Sequence, residues 1–144
     1  MNAPVNETEL AAKAVAPRVT PADIESEIVS EHYFTAGDGY AGSASLTVAE
    51  GGFIEPPQQL DLLTFCVLIL RNGFTVTGES ACASPENFDA EIGKRIAREN
   101  AVNKVWPLLG FRLRDKLAAA KTEDDFQLGK ACDLSGEGGC EACQ

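Results

Sequence analysis

The chain has 144 residues, of which 44% are hydrophobic and 24% are charged, a composition typical of one globular domain. Its longest apolar stretch, residues 60–70, is too short to span a membrane, and the N-terminus lacks the basic and apolar segments of a secretory signal. The net charge of −10 disfavours nucleic-acid binding, because an acidic chain repels phosphate backbones. We therefore expect a cytosolic protein whose cysteines are reduced thiols.

The N-terminal part is predicted to form a disordered arm followed by one helix. Residues 1–19 are polar and Ala-rich, without a sustained apolar face. Thr20 then offers a capping hydroxyl, Pro21 suits the first helical position, and Asp23 suits the positive end of the helix dipole. We expect this helix to end near Tyr33. Its apolar face contains Ile24, Ile28 and His32.

A long loop is predicted next, because residues 35–59 are rich in Gly, Ala and Ser. A short strand is expected near residues 46–48. Residues 37–42 have the glycine spacing of a dinucleotide-binding fingerprint, which requires a strand before it and a helix N-terminus after it. Since a helix is predicted before this segment and a loop after it, we interpret the spacing as part of a flexible loop.

The clearest pattern is a β-hairpin that turns at Asn72-Gly73, since both residues accept a positive φ. A two-residue turn places Leu70 opposite Thr75 and Phe65 opposite Ser80. The predicted core face contains Leu63, Phe65, Val67, Ile69, Phe74 and Val76. The second face contains Thr64, Cys66, Leu68, Leu70, Thr75, Thr77 and Glu79. Because the second face is apolar on only one strand, we expect the first helix or a second subunit to cover part of it, the latter giving a homo-oligomer.

The main helix is predicted to begin at Ser84 and Pro85, again a capping hydroxyl followed by proline. It should continue to about Trp106, where Pro107 breaks or kinks it. A second helical piece is expected over residues 108–120.

These elements predict an α+β fold. A β-hairpin, with or without a third strand, packs against a long C-terminal helix and a short N-terminal helix. The expected domain covers residues 20–120, between the arm at 1–19 and a flexible, cysteine-containing tail at 121–144.

Polar residues recur on the apolar side of the main helix. Asp89, Asn100 and Asn103 share this side at helical spacing. Buried carboxylates and amides need partners, since each unpaired group destabilises the fold. One interpretation is a ligand-binding or partner-binding pocket between this helix and the hairpin, to which Glu79 and Ser80 contribute. The other is internal hydrogen bonding or a subunit contact.

The sequence favours a protein without catalytic activity or a cofactor. Ser80 lies in a segment that falls one glycine short of a nucleophile elbow, and the turn register directs it toward Phe65. His32 is the one histidine of the chain and is interpreted as a core residue at a helix end, so a Ser-His or Cys-His pair lacks support. A solvated face of the main helix is expected to carry Lys94, Arg95 and Arg98.

The cysteines offer only a weak metal site. Cys132, Cys140 and Cys143 supply three thiols in the tail, whereas a structural zinc site needs four ligands and the tail has no histidine. We expect no bound metal, and we interpret Cys66 and Cys82 as reduced thiols of the strands.

Several segments together resemble a known family of small tailed-phage and prophage proteins. They are residues 28–34 (IVSEHYF), 64–68 (TFCVL), 71–82 (RNGFTVTGESAC), 87–93 (NFDAEIG), 97–101 (ARENA) and 106–108 (WPL). The family is named after gene forty-nine of one podophage and gene sixty-six of another, and the resemblance covers residues 20–117. It implies a phage-encoded accessory protein in the cytoplasm of a bacterial host, without an established activity.

Two functions follow as expectations. The first is a non-enzymatic accessory protein that binds a host or phage protein during infection. The alternative is a protein that binds or sequesters a small ligand, such as a nucleotide signal, and so counters host defence. Two carboxylates in the predicted pocket, Glu79 and Asp89, oppose an anionic ligand unless nearby arginines compensate.

Overall fold

A computed structural model describes residues 6–45 and 55–128. The chain divides after Leu113 into two compact units, and the sheet and the residues packed on it belong to the first unit. The helices are α1 (Glu7–Lys13), α2 (Pro21–Glu27), α3 (Ala36–Ser45), α4 (Gln58–Asp61) and α5 (Ala90–Leu128), with a 3-10 turn at Pro85–Asn87. The strands are β1 (Ile28–Thr35), β2 (Leu63–Leu70) and β3 (Thr75–Ala81). They form an antiparallel sheet in the order β1-β2-β3 against α5, which confirms the α+β prediction.

Helix α2 begins as predicted and ends earlier. The Thr20 hydroxyl accepts a hydrogen bond from the Asp23 amide, and the Asp23 carboxylate accepts one from the Thr20 amide, which is a capping box. The predicted extension to Tyr33 is wrong, because the chain enters β1 at Ile28 and pairs with β2. His32 consequently lies exposed on a strand instead of in the core.

The predicted loop at 35–59 is also wrong in its first part, which forms α3. Thr35 and Asp38 make a second reciprocal pair at the start of this helix, with Asp38 N to Thr35 Oγ1 at 3.0 Å and Thr35 N to Asp38 Oδ2 at 2.8 Å. The glycine-spaced segment 37–42 therefore follows a strand and lies in a helix. It still lacks the features of a phosphate cradle, since the Asp38 carboxylate occupies the helix start. The predicted strand at 46–48 lies outside the described residues.

The chain reverses at Asn72-Gly73 as predicted, but the loop has three residues instead of two. Leu70 N donates to Phe74 O at 2.8 Å and Gly73 N donates to Leu70 O at 2.8 Å, while Gly73 has a φ of +83°. The register is consequently shifted by one residue, and Phe65 lies opposite Glu79 instead of Ser80.

The predicted core face of β2 is wrong. The buried residues of this strand are Thr64, Cys66, Leu68 and Leu70, which were predicted to form the second face. They pack with Val76 of β3 and with Ala97, Ala101, Val105 and Leu109 of α5. Ile92 and Ile96 of α5, by contrast, are 46% and 42% exposed. Helix α5 of the same chain covers this second face, and the homo-oligomer expected through it stays a prediction.

Helix α5 begins later and runs further than predicted. Ser84 makes no side-chain cap and precedes the separate 3-10 turn, and the Asp89 carboxylate instead accepts a hydrogen bond from Ile92 N at 2.9 Å. Pro107 lies inside a continuous helix that extends to Leu128, so the predicted break is wrong. The proline removes one amide donor, and the buried residues Val105 and Leu109 on either side stabilise the surrounding turns. Within the described ranges, no helix is long and apolar enough to cross a membrane.

Candidate functional site

The structure separates the predicted site residues into two places. Ser80 and Asp89 line one cavity, whereas Glu79 and Asn100 meet at the outer edge of β3. Asn103 is exposed and makes no side-chain hydrogen bond to the described residues. The predicted pocket therefore forms with two of its five residues. Three weak metal candidates lie outside the described residues, namely Cys132, Cys140 and Cys143.

The cavity lies between the ends of β2 and β3 and the first turns of α5. It has a volume of about 120 Å³. Its polar lining includes Thr64, Ser80, Asn87 and Asp89. Its apolar lining includes Leu62, Phe88, Ile92 and Ile96. Because Asn87, Asp89 and Ile92 are themselves exposed, the cavity opens at the surface.

Thr64 is the unusual residue of this cavity. Its side chain is only 3% exposed, and Oγ1 has no hydrogen-bond partner within the described part of the chain. Ser80 lies directly opposite Thr64 on β3, so two residues with hydroxyl side chains are neighbours at the cavity wall. A Cβ atom at Gly93 would lie 3.0 Å from Thr64 Oγ1. Glycine at this position therefore lets α5 approach the hydroxyl closely.

Glu79 and Asn100 stabilise the outer edge of β3. Glu79 pairs with Phe65 in the sheet, and Asn100 Nδ2 donates to the Glu79 carbonyl oxygen at 2.8 Å. This bond satisfies one backbone acceptor of an edge strand. The Glu79 carboxylate contacts Lys104 Nζ at 3.1 Å, and this hydrogen bond lowers the pKa of Glu79. Glu79 and Asn100 therefore make internal hydrogen bonds, which the sequence left open as the alternative to a binding pocket.

A charged network on the α5 side of the sheet could not be read from the sequence. Arg98, predicted to be solvated, binds Glu31 of β1 and Glu25 of α2, each at 2.8 Å. The Tyr33 hydroxyl donates to Glu31 at 2.7 Å. Hydrogen bonding to Arg98 lowers the pKa of Glu31, whereas burial raises the pKa of Tyr33 and that of the adjacent Cys66 thiol. The network connects α2, β1 and α5.

The sheet face opposite α5 differs from an ordinary solvent-facing surface. We call it the open face and define it by five apolar residues: Phe34, Leu63, Phe65, Val67 and Ile69. The four of β2 are half-buried and Phe34 is 40% exposed. Phe34 and Phe65 stack with ring centroids 5.7 Å apart. Polar side chains of β1 and β3 flank this apolar row, among them His32, Thr77 and Glu79.

Catalytic and metal-binding groups are sparse in the described ranges. His32 Nε2 lies 3.1 Å from Ser30 Oγ on the open-face side of β1, away from Ser80 in the cavity. Cys66 and Cys82 are free thiols, and Cys82 Sγ donates to Ser84 O at 3.2 Å. No group of three or more His, Cys, Asp or Glu side chains suited to a metal ion occurs in this part of the chain.

Comparison with known proteins places the chain in one family. Residues 19–117 match a family of phage proteins, and this range includes β1, β2, β3 and the cavity. No curated protein and no solved structure shows significant similarity to the chain. The match covers more than half of the 144 residues and agrees with the resemblance seen in the sequence. The chain therefore belongs to the phage protein (N4 Gp49/phage Sf6 gene 66) family.

Proposed function

We propose that this protein is a non-enzymatic phage accessory protein that binds another protein in the host cytoplasm through its open face. The observation that carries the proposal is the composition of β2, whose residues apart from Thr64 are apolar on both faces. An antiparallel strand with one face in water normally alternates apolar and polar residues. Helix α5 buries one face of β2, and the opposite row of Phe65, Val67 and Ile69 is only half-buried, so we assign this row to a partner.

The open face has the features of a protein interface. Its centre is apolar and aromatic, and its flanking positions are polar, as in the core and rim of protein interfaces. The chain has a net charge of −10. Charge complementarity therefore favours a partner that presents an apolar patch surrounded by Lys and Arg side chains.

The test uses site-specific cross-linking followed by reconstitution. A photo-cross-linking amino acid at position 67 should capture a phage or host protein during infection, and the same amino acid at position 111 should not. The captured protein is then purified, and its affinity is measured for the wild type and for Val67→Lys. We expect the substitution to weaken binding about tenfold or more without unfolding the protein, since Val67 is only half-buried.

The control is Phe111→Lys, which changes an apolar residue of α5 that is 70% exposed. Equal affinity of the wild type and Val67→Lys for the purified partner would contradict the proposal. So would a loss of affinity caused by Phe111→Lys alone.

A second candidate function is the binding or sequestering of a small ligand. The observation that favours it is the cavity, where the buried Thr64 hydroxyl has no partner among the described residues. A nucleotide signal, the ligand considered from the sequence, would have to place its phosphates away from the Asp89 carboxylate at the cavity rim.

A further inference from the structure

We infer that the cavity formed by Thr64, Ser80 and the first turns of α5 binds the amino group of a small ligand with an apolar body. This inference rests on the second candidate function and names its ligand class. It is independent of protein binding at the open face, which lies on the other side of the sheet.

The polar groups of the cavity are suited to accept hydrogen bonds. Asn87 Nδ2 uses one of its two hydrogens to donate to Ser84 Oγ at 3.1 Å, and the side-chain carbonyl oxygen of Asn87 is an acceptor. One oxygen of Asp89 binds Ile92 N, and the second remains as an acceptor. The Thr64 and Ser80 hydroxyls can also accept, whereas no lysine or arginine lines the cavity. A protonated amine, which carries three donors and no acceptor, matches this set of groups.

The charge of the cavity lining also favours a protonated amine. Asp89 is the charged side chain of the lining, so the cavity favours a cation and opposes a carboxylate or phosphate. Phe88 adds an aromatic ring to the wall, and aromatic rings attract cations through the negative potential of their faces.

The apolar wall and the volume set the size of the ligand. Leu62, Ile92 and Ile96 provide an apolar surface beside the hydroxyl groups. The volume of about 120 Å³ approaches that of a roughly 150 Å³ protein cavity that binds benzene. The cavity therefore accommodates one small ring or a short aliphatic chain attached to the amino group.

Gly93 allows α5 to lie close to this hydroxyl. A Cβ atom at position 93 would lie only 3.0 Å from Thr64 Oγ1, so a larger residue would displace the helix or the threonine side chain. Burial of an unpaired hydroxyl destabilises a fold, so a ligand that supplies the missing donor recovers an interaction that the protein alone lacks.

The experiment compares three probes that share one ring and differ in the polar group: benzylamine, benzyl alcohol and benzoate. Binding to the full chain is followed by NMR titration at neutral pH. We expect benzylamine to shift the amide resonances of Thr64, Ser80 and Gly93, benzyl alcohol to bind more weakly, and benzoate not to bind. Thr64→Val and Gly93→Ala should each weaken benzylamine binding about tenfold.

Thr77→Val is the matched control, because it removes an exposed threonine hydroxyl of β3 outside the cavity. Ser80→Ala serves as an additional variant if either cavity substitution prevents folding. Benzoate binding as tightly as benzylamine would overturn the ligand class while leaving small-ligand binding intact. Absence of binding by all three probes would overturn the cavity site and the second candidate function together. Equal benzylamine affinity of the wild type, Thr64→Val and Ser80→Ala would do the same.

Discussion

Gly78 of β3 determines how closely α5 approaches the sheet. A Cβ atom at this position would overlap the Ala97 carbonyl oxygen and would lie 2.8 Å from Ala101 Cβ. The three small residues therefore allow direct contact between the helix backbone and the strand. This contact explains the glycine in a strand, where it otherwise weakens the structure.

We expect Gly78→Ala to lower the free energy of unfolding by about 1–3 kcal/mol, because backbone atoms of α5 must move to accept the methyl group. Gly110→Ala is the control, since it lies inside α5 with no atom within 4 Å of the added Cβ. The control should raise stability by about 0.5–1 kcal/mol through better helix propensity. Urea unfolding measures both. An unchanged free energy of unfolding in Gly78→Ala would contradict the close packing of α5 on β3.

The role of a residue could be predicted where it depends on contacts with its neighbours in sequence. The Thr20 cap and the turn at Gly73 depend on neighbours in sequence, and both were predicted. The partners of Asn100 and Arg98 are 21 and 67 residues away, so helical spacing could not reveal them. For this reason the sequence predicts that Asp89, Asn100 and Asn103 line one pocket. In the structure the Asn100 side chain instead donates a hydrogen bond to the backbone of Glu79.

At the scale of elements, one additional residue in the hairpin loop changes which side chains of β2 and β3 share a face. Asn72-Gly73 fits both a two-residue loop and a three-residue loop that ends in a positive-φ glycine. The three-residue loop shifts the register by one, and side chains alternate along a strand, so the wrong choice exchanges the two faces. The apolar pattern could not correct this choice, because β2 is apolar on both sides.

The Arg98 network should make the stability of the fold depend on pH. Glu31, with its pKa lowered by Arg98, contributes stability above its ordinary value of 4.5 and loses it as the pH falls through the lowered value. We expect Arg98→Gln to be less stable than the wild type at neutral pH, and the two unfolding curves to converge in acid. Chemical unfolding at a series of pH values measures the difference.

Arg95→Gln is the control for this prediction, because Arg95 is exposed on the same helix and makes no ion pair in the described part of the chain. Its stability should follow the wild type at every pH. A constant difference between Arg98→Gln and the wild type from neutral to acid pH would contradict the assigned role of Glu31.

At the scale of the whole molecule, the net charge of −10 bears on partner binding. If a basic protein surface binds the open face, association is accelerated by long-range attraction, which salt screens. We expect the association rate constant to fall about tenfold between low salt and about 1 M salt, while the dissociation rate constant changes less. Stopped-flow mixing with the purified partner measures both constants. An association rate that rises with salt would contradict a basic partner.

The sequence by itself determined the class of fold, the start of α2, the reversal at Asn72-Gly73 and the family. Each depends on local chemistry or on an ordered series of short motifs. Tertiary structure decided the rest. It converted residues 28–35 into a strand, because pairing with β2 outweighed a helical pattern, and it chose which face of β2 to bury. It also formed the cavity around Thr64, since only the packing of α5 on the sheet brings Gly93 next to a hydroxyl 29 positions earlier in the chain.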